Sequence, residues 1–269
     1  MGFFSWLFKK QPKKLCLGIA LGSGGAKGFA HLGALRAFEE NGIEFDVIAG
    51  TSIGSIVGAF YANGYSSTDI FELLRRLDFR DFKDILLSPM EANGLYGLIE
   101  KELGSSEFEQ LKKPFKAVAT HLESGEEKVF DSGSVALALC ASSAIPPFFK
   151  PVVIGNERFV DGAYSNSVPC DLVKNMGADY VIGIDLRTAV SKQGLLSKIF
   201  PTYKGKIEKP WEKGYQYGDI VLNPDLNGYD STAFSKGAEM YEIGYKCIID
   251  NIDKIKKDIA KLKKAKGVK

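Results

Sequence analysis

The sequence predicts a layered α/β domain built on a mostly parallel sheet. Two observations carry this. Apolar runs with the pattern of buried strands, "LCLGIAL" (15–21), "DVIA" (46–49) and "ADYVIGIDL" (178–186), alternate with stretches of helical spacing. Each of the first two runs also passes directly into glycines and other small residues before its helix begins. Strands alternating with helices imply parallel strands joined by right-handed crossovers. At 269 residues the chain can bury a sizeable core.

Taken in order, the first strand runs into "GSGGAKG" (22–28) and then the helix "AHLGALRAFEENG", stopped at Gly42. A second strand covers Asp46 to Ala49, and from Ile53 a helix continues to the stop at Asn63–Gly64. Helical spacing recurs over 67–77 and 95–103. "FKAVATHLESGEEKVFD" (115–131) reads as strand, tight turn, strand. A helix over 134–142 leads to "AIPPFFKPV" (144–152) and the hairpin-like "VVIGNERFVDGAY" (152–164). Residues 189–217 break the rhythm, mixing Lys, Gly and Pro with Leu195, Leu196, Ile199, Phe200 and Trp211, and lid, substrate-facing flap and linker all stay open. From Ser231 the pattern predicts one long helix. Tyr241, Tyr245, Ile248, Ile252, Ile255, Ile259 and Leu262 form a narrow apolar seam along it, which either packs on the body or joins a second copy in a homo-oligomer.

The formal net charge of +2 conceals a segregation. Residues 1–18 hold four lysines and no acid, and residues 254–269 hold eight lysines and one aspartate. Between them lies a body of 23 basic and 32 acidic side chains. Positive charge confined to the ends argues against a nucleic-acid groove. Four scattered cysteines, with no C-x-x-C pair, read as free thiols in a reducing, cytoplasmic setting rather than as a metal site. No window approaches a membrane span, and "MGFFSWLFKK" is no signal peptide. Residues 225–230 do not fit a calcium loop, because Tyr229 occupies a ligand position. No metal or cofactor is predicted.

"GTSIG" (50–54) supplies the chemistry. Ser52 stands at a sharp strand-to-helix turn between Gly50 and Gly54, as a nucleophile elbow requires, with the glycines there to let the backbone turn steeply and leave the hydroxyl exposed. The loop at 22–28 fails as a dinucleotide fingerprint, since Lys27 stands where the third glycine belongs, and it fails as a P-loop, since Gly28 follows Lys27. As an anion hole it succeeds: small residues leave the N–H groups of Gly24 and Gly25 unobstructed at a helix start, and Lys27 adds charge or helps hold the loop. The proton acceptor is the difficulty. His31 shares a helix face with apolar residues and His121 ends a strand remote from the elbow, so no Ser, Asp, His order is available. The base is then a carboxylate, and Asp161, Asp131 and Asp185 each close a strand.

"GSGGAKG", "GTSIG", "ASSAIPPFFKPV" (141–152) and "VDGA" (160–163), in this order, resemble the patatin-like phospholipases, above all their compact single-domain bacterial members. The likeness extends through "DIVLNPDLNGYDS" and covers roughly residues 15–250. It implies a three-layer α/β/α sandwich with a mostly parallel central sheet, a Ser52–Asp161 dyad without histidine, and an oxyanion hole from Gly24 and Gly25. Lys27 then stands where the family carries Arg or Lys. One departure is Ser23, which occupies the usual first glycine of the family's loop. The implied activity is hydrolysis of acyl esters of phospholipids or lysophospholipids through an acyl-serine. An acyltransferase using the same acyl-serine and a catalytically silent lipid-binding scaffold remain alternatives.

The chain thus divides into a basic aromatic segment (1–14), a hydrolase domain (15–250) and a Lys-rich helix end (251–269). Phe3, Phe4, Trp6, Leu7 and Phe8 followed by Lys9, Lys10, Lys13 and Lys14 suit peripheral contact with an anionic membrane surface, with the C-terminal lysines as a second contact; solvated ends are the plain alternative.

Overall fold

The structure, a computed structural model, describes residues 14–76, 94–104, 107–146, 149–188 and 212–268. The expectations for residues 1–13 and for 189–211 lie outside them. The strands are β1 (Leu17–Leu21), β2 (Val47–Thr51), β3 (Phe115–His121), β4 (Glu127–Phe130), β5 (Val152–Ile154), β6 (Glu157–Asp161), β7 (Tyr180–Ile184) and β8 (Ile220–Leu222). They form one sheet, hydrogen-bonded in the succession β5-β6-β3-β2-β1-β7-β8, with β4 also on β3. The β3–β2–β1–β7–β8 portion is parallel, whereas β4, β5 and β6 enter through antiparallel pairings. β8, three residues at the end of that succession, is the strand that the sequence pattern did not reveal.

The described helices are α1 (Phe29–Glu40), α2 (Ile53–Ala62), α3 (Ser67–Arg76), α4 (Leu95–Leu103), α5 (Val135–Ser142), α6 (Cys170–Asn175), α7 (Gly237–Ile249) and α8 (Ile252–Lys266). Alternation along the strands divides the core in two. Ile19, Leu21, Ile48, Ile182 and Ile184 face the larger helical layer. Ala20, Val47, Ala49 and Val181 face Cys170 and Val173 of α6. No helix of the described residues is long and apolar enough to cross a membrane.

The C-terminal region corrects one expectation. There is no single helix from Ser231. A 3-10 turn at Phe234–Lys236 precedes α7, and the chain breaks at Asp250–Asn251, two poor helix formers, before α8. Asn251 Nδ2 donates to the Cys247 carbonyl at 2.8 Å, occupying an acceptor at the end of α7. The apolar seam packs on the body: Ile248, Ile252, Ile255 and Ile259 are buried in the main core. It therefore offers no free apolar face for a homo-oligomer.

One feature of the register positions the site. β4 pairs with β3 over Ala117–Thr120, so β2 (opposite Phe115–Val118) and β6 (opposite Ala119–His121) must share the other edge of β3. β2 is parallel to β3 and β6 antiparallel, so the two strands approach each other head-on. β2 stops at Thr51, partner of Val118, and β6 stops at Asp161, partner of the next residue, Ala119.

Candidate active site

Ser52 follows directly on the end of β2. Its φ of 56° and ψ of −127° make it the one non-glycine residue with positive φ among the described residues. Backbone strain of this kind persists where the surroundings over-determine it. The Ser52 N–H donates to Ser142 Oγ at 2.8 Å, and its carbonyl accepts from Ser55 N–H at 2.8 Å and Ser55 Oγ at 2.6 Å. The flanking glycines differ from expectation in their role. Neither has positive φ; the turn is carried by Ser52 itself. Gly54 is needed for close approach, since a Cβ there would lie 2.1 Å from the Leu21 carbonyl oxygen, and one on Gly50 would lie 2.3 Å from that of Gly54. Nor is the serine exposed: it is 4% accessible, at the bottom of the elbow.

Asp161 stands where β6 meets this turn. A Cβ on Gly162 would lie 2.2 Å from the Val118 carbonyl and 3.0 Å from Thr51 Cγ2, so only glycine lets the chain turn away there. The Asp161 N–H donates to the Ala144 carbonyl at 2.8 Å, and Thr120 Oγ1 donates to the Asp161 carbonyl at 2.9 Å. The end of α5 and the residues just after it thus hold both residues, Ser52 through Ser142 and Asp161 through Ala144. "ASSA" was legible as a motif, but its role depends on contacts roughly 90 and 20 residues away in the chain. Asp161 Oδ1 accepts from Ala163 N–H at 2.8 Å, and Oδ2 is buried without a partner of regular hydrogen-bond geometry among the described residues. Burial pushes the Asp161 carboxyl up to about 7, against the lowering effects of the Ser52 hydroxyl and the Ala163 N–H.

The glycine loop lies beside them, between β1 and α1. Gly22 N–H donates to Ile184 O at 3.0 Å, Ser23 N–H to Ser167 O at 3.1 Å, Ala26 N–H to Ser231 O at 2.7 Å and Lys27 N–H to Gly24 O at 3.2 Å. The N–H groups of Gly24 and Gly25, between these, have no acceptor among the described residues. Gly25 has φ 58°, and a Cβ on it would lie 2.5 Å from the Ser231 carbonyl oxygen. Ser23, the departure from the family pattern, is accommodated through a 2.9 Å contact between its hydroxyl and that of Ser167. Lys27 is buried and its Nζ donates to Thr188 Oγ1 at 3.4 Å, which ties the loop to the segment that follows β7. Burial lowers its pKa, opposed by Asp230 and Asp185.

The rival residues are otherwise employed. Asp131 pairs with Lys116 at 2.8 Å on the surface. Asp185 is held by Arg187 through Nε at 2.8 Å and Nη2 at 2.7 Å, and by the Tyr215 hydroxyl. His31 is wholly buried, and its Nε2–H donates to the Gly22 carbonyl at 2.7 Å, supporting the glycine loop from behind. Burial pushes its pKa down to about 4, so it is neutral there. His121 lies among surface acids, 3.5 Å from Glu123 and 3.8 Å from Glu157. No cluster of metal-ligating side chains occurs among the described residues.

A layered α/β fold with a strained serine on a strand-to-helix elbow is the class the geometry defines. The chain belongs to the patatin-like phospholipase family, whose model matches residues 19–174. It is 26% identical to lysophospholipase nte1 of Aspergillus fumigatus over 93% of its own length and 19% of that protein's. It is 27% identical to patatin-like phospholipase domain-containing protein 6 of Mus musculus, over 85% of the chain and 20% of that protein. The chain thus spans about a fifth of the length of these relatives. Among solved structures, VipD from Legionella pneumophila aligns with a TM-score of 0.55 at 16% identity, covering 90% of this chain and 68% of VipD. The type III effector protein ExoU aligns at 0.53 and 13% identity, covering 90% of this chain and 53% of ExoU. These structures share the fold.

Proposed function

We propose that this chain is a serine lipid acyl hydrolase that cleaves acyl esters of phospholipids or lysophospholipids, with Ser52 as nucleophile and Asp161 as its base. The observation that carries the reading is the head-on meeting of β2 and β6, which sets a strained serine beside a buried aspartate short of a partner. The names of the relatives, lysophospholipases among them, indicate the substrate class.

Asp161 accepts the Ser52 proton as Oγ attacks the ester carbonyl. The developing oxyanion lies against the N–H groups of Gly24 and Gly25, donors that are preorganised because no other acceptor takes them. Collapse breaks the C–O bond, Asp161 returns the proton to the departing lipid alcohol, and the acyl group stays on Ser52. Water, deprotonated by Asp161, then releases the fatty acid. A carboxylate of ordinary pKa would be a feeble base; one raised to about 7 is matched to neutral pH. Apart from water, each step draws on groups of the chain, so activity is expected to survive a chelator.

Product analysis by mass spectrometry over a mixed lipid panel tests this. The wild type is expected to release free fatty acid, and Ser52→Ala none. Equal release by both proteins contradicts the nucleophile. Acyl chains appearing on other lipids instead of as free acid make the protein a transferase, and no turnover with any ester makes it a silent binder.

A further inference from the structure

Three consecutive buried residues join the three parts of the candidate active site. Ser165, Asn166 and Ser167 follow the turn at Gly162–Tyr164, with neighbouring Cα atoms about 3.8 Å apart. Ser165 Oγ lies 2.8 Å from Thr120 Oγ1, the hydroxyl that donates to the Asp161 carbonyl. The Asn166 N–H donates to the Gly162 carbonyl at 2.9 Å, and the Asn166 carbonyl accepts from Thr51 Oγ1 at 2.8 Å. Gly162 follows the base and Thr51 precedes the nucleophile, so the backbone of Asn166 spans the two. The Ser167 carbonyl accepts the Ser23 N–H at 3.1 Å, at the start of the loop that carries Gly24 and Gly25.

The Asn166 side chain anchors this segment to two further elements. Its Nδ2 donates at 2.8 Å to Asp171 Oδ1, in the first turn of α6, and at 3.1 Å to Glu127 Oε1 of β4. Glu127 is paired in turn with Lys213 through Oε2. The two carboxylates allow the amide one orientation, since Oδ1 in place of Nδ2 would set acceptor against acceptor. Oδ1 is buried without a partner among the described residues. Packing alone does not call for an amide with one end unsatisfied at a wholly buried position. Two donors aimed at two held carboxylates do call for one, because they fix where the segment lies.

We infer that Asn166 is a positioning residue for the reaction: its amide, held between Glu127 and Asp171, sets the segment that keeps Ser52, Asp161 and the Gly24–Gly25 loop in register. The inference rests on the reading of Ser52 and Asp161 as nucleophile and base. The hydrogen bonds of Asn166 act on those groups through Thr51 and Gly162, and the next residue carries the constraint to Ser23. A misplacement of about 1 Å costs on the order of 100-fold in rate, so loss of the amide is felt in kcat and not in the binding of substrate.

The test measures kcat and KM on a soluble short-chain ester, with Ser52→Ala as the blank and the melting temperature as the control for folding. Asn166→Asp sets an acceptor against the two carboxylates and is expected to lower kcat on the order of 100-fold, with KM within about twofold of the wild type. Asn166→Asp/Asp171→Asn restores a donor and an acceptor with their roles exchanged, and is expected to recover roughly tenfold or more of the lost kcat. Thr51→Val leaves the Asn166 side chain in place and removes the link beside Ser52; it is expected to lower kcat about tenfold, and to add little to Asn166→Asp, because both break one connection. Where Asn166→Asp does not fold, Thr51→Val decides. Wild-type turnover no greater than that of Ser52→Ala overturns this inference together with the reading it rests on. With wild-type turnover established, three results overturn this inference alone: normal kcat in a folded Asn166→Asp or Thr51→Val protein, a loss confined to KM, or a folded Asn166→Asp/Asp171→Asn protein no faster than Asn166→Asp.

Discussion

Aspartates mark both ends of the central sheet, and the two ends treat them differently. At the far end, Asp46 and Asp179 each accept a backbone N–H with one oxygen and pair with a lysine through the other. They pin the chain and are electrically balanced. At the catalytic end, Asp161 also accepts one N–H, but its second oxygen is buried and has neither a cation nor a regular donor among the described residues. Both arrangements occur at strand termini, so position does not distinguish them. A shortage of partners does. A buried carboxylate left short of donors is costly to ionise, and the same shortage makes it basic enough to take a proton.

Breaking that difference at the catalytic end has the largest expected effect. Ser52→Ala and Asp161→Asn should each lower kcat on an ester substrate on the order of 10⁴-fold or more, because nucleophile and base act as a unit. His121→Gln, folded, should stay within a few-fold of the wild type. Steady-state rates on a soluble short-chain ester read all three.

The donors of the glycine loop come next. Gly25→Pro removes an N–H and should cost ~2.7–4 kcal/mol of transition-state stabilisation. Gly25→Ala keeps the N–H but places a Cβ near Ser231. If alanine costs as much as proline in kcat, loop shape and not the missing donor is responsible.

Titration of Asp161 sharpens the comparison. The reactive form is the carboxylate, so kcat/KM should rise about tenfold per pH unit below about 7 and level off above it. Stability moves in the opposite direction. The folded pKa is raised from 3.8, so the favourable contribution of the protonated acid is complete below about 4 and is lost as pH rises through about 7. Asp161→Asn should therefore stabilise the fold at pH 8 by on the order of 2–4 kcal/mol, with the gain vanishing below pH ~4. Urea denaturation at the two pH values measures it. No difference between them would mean that the carboxylate is not held in a costly state.

The smallest effect belongs to the far end. Lys14→Ala breaks an exposed pair with Asp46 and should cost under ~1 kcal/mol while leaving turnover of a soluble ester unchanged.

Much of this was legible in the residues. The glycine loop and the serine turn each follow an apolar strand, and their local patterns suffice because strand, turn and helix lie within about fifteen residues of one another. Asp161 was not separable from Asp131 and Asp185 by spacing, because what distinguishes it is register: β6 runs antiparallel into the end of β2, a pairing between segments more than 100 residues apart. Ser142 and Ala144 were hidden for the same reason. The glycines around Ser52 were read as hinges, whereas the hinge is the serine and the glycines are points of contact. β8 was too short to show a period, and the break at Asp250–Asn251 keeps the apolar spacing intact across it.

The central claim is that Ser52 is activated by Asp161 without a histidine. Labelling with a fluorophosphonate probe, followed by peptide mass spectrometry, tests it most directly, because the probe reacts with an activated serine whatever the natural lipid. The account predicts one labelled residue, Ser52, with labelling abolished in Ser52→Ala, strongly slowed in Asp161→Asn and retained in His121→Gln. Normal labelling of a folded Asp161→Asn protein, or its loss in a folded His121→Gln protein, would contradict it.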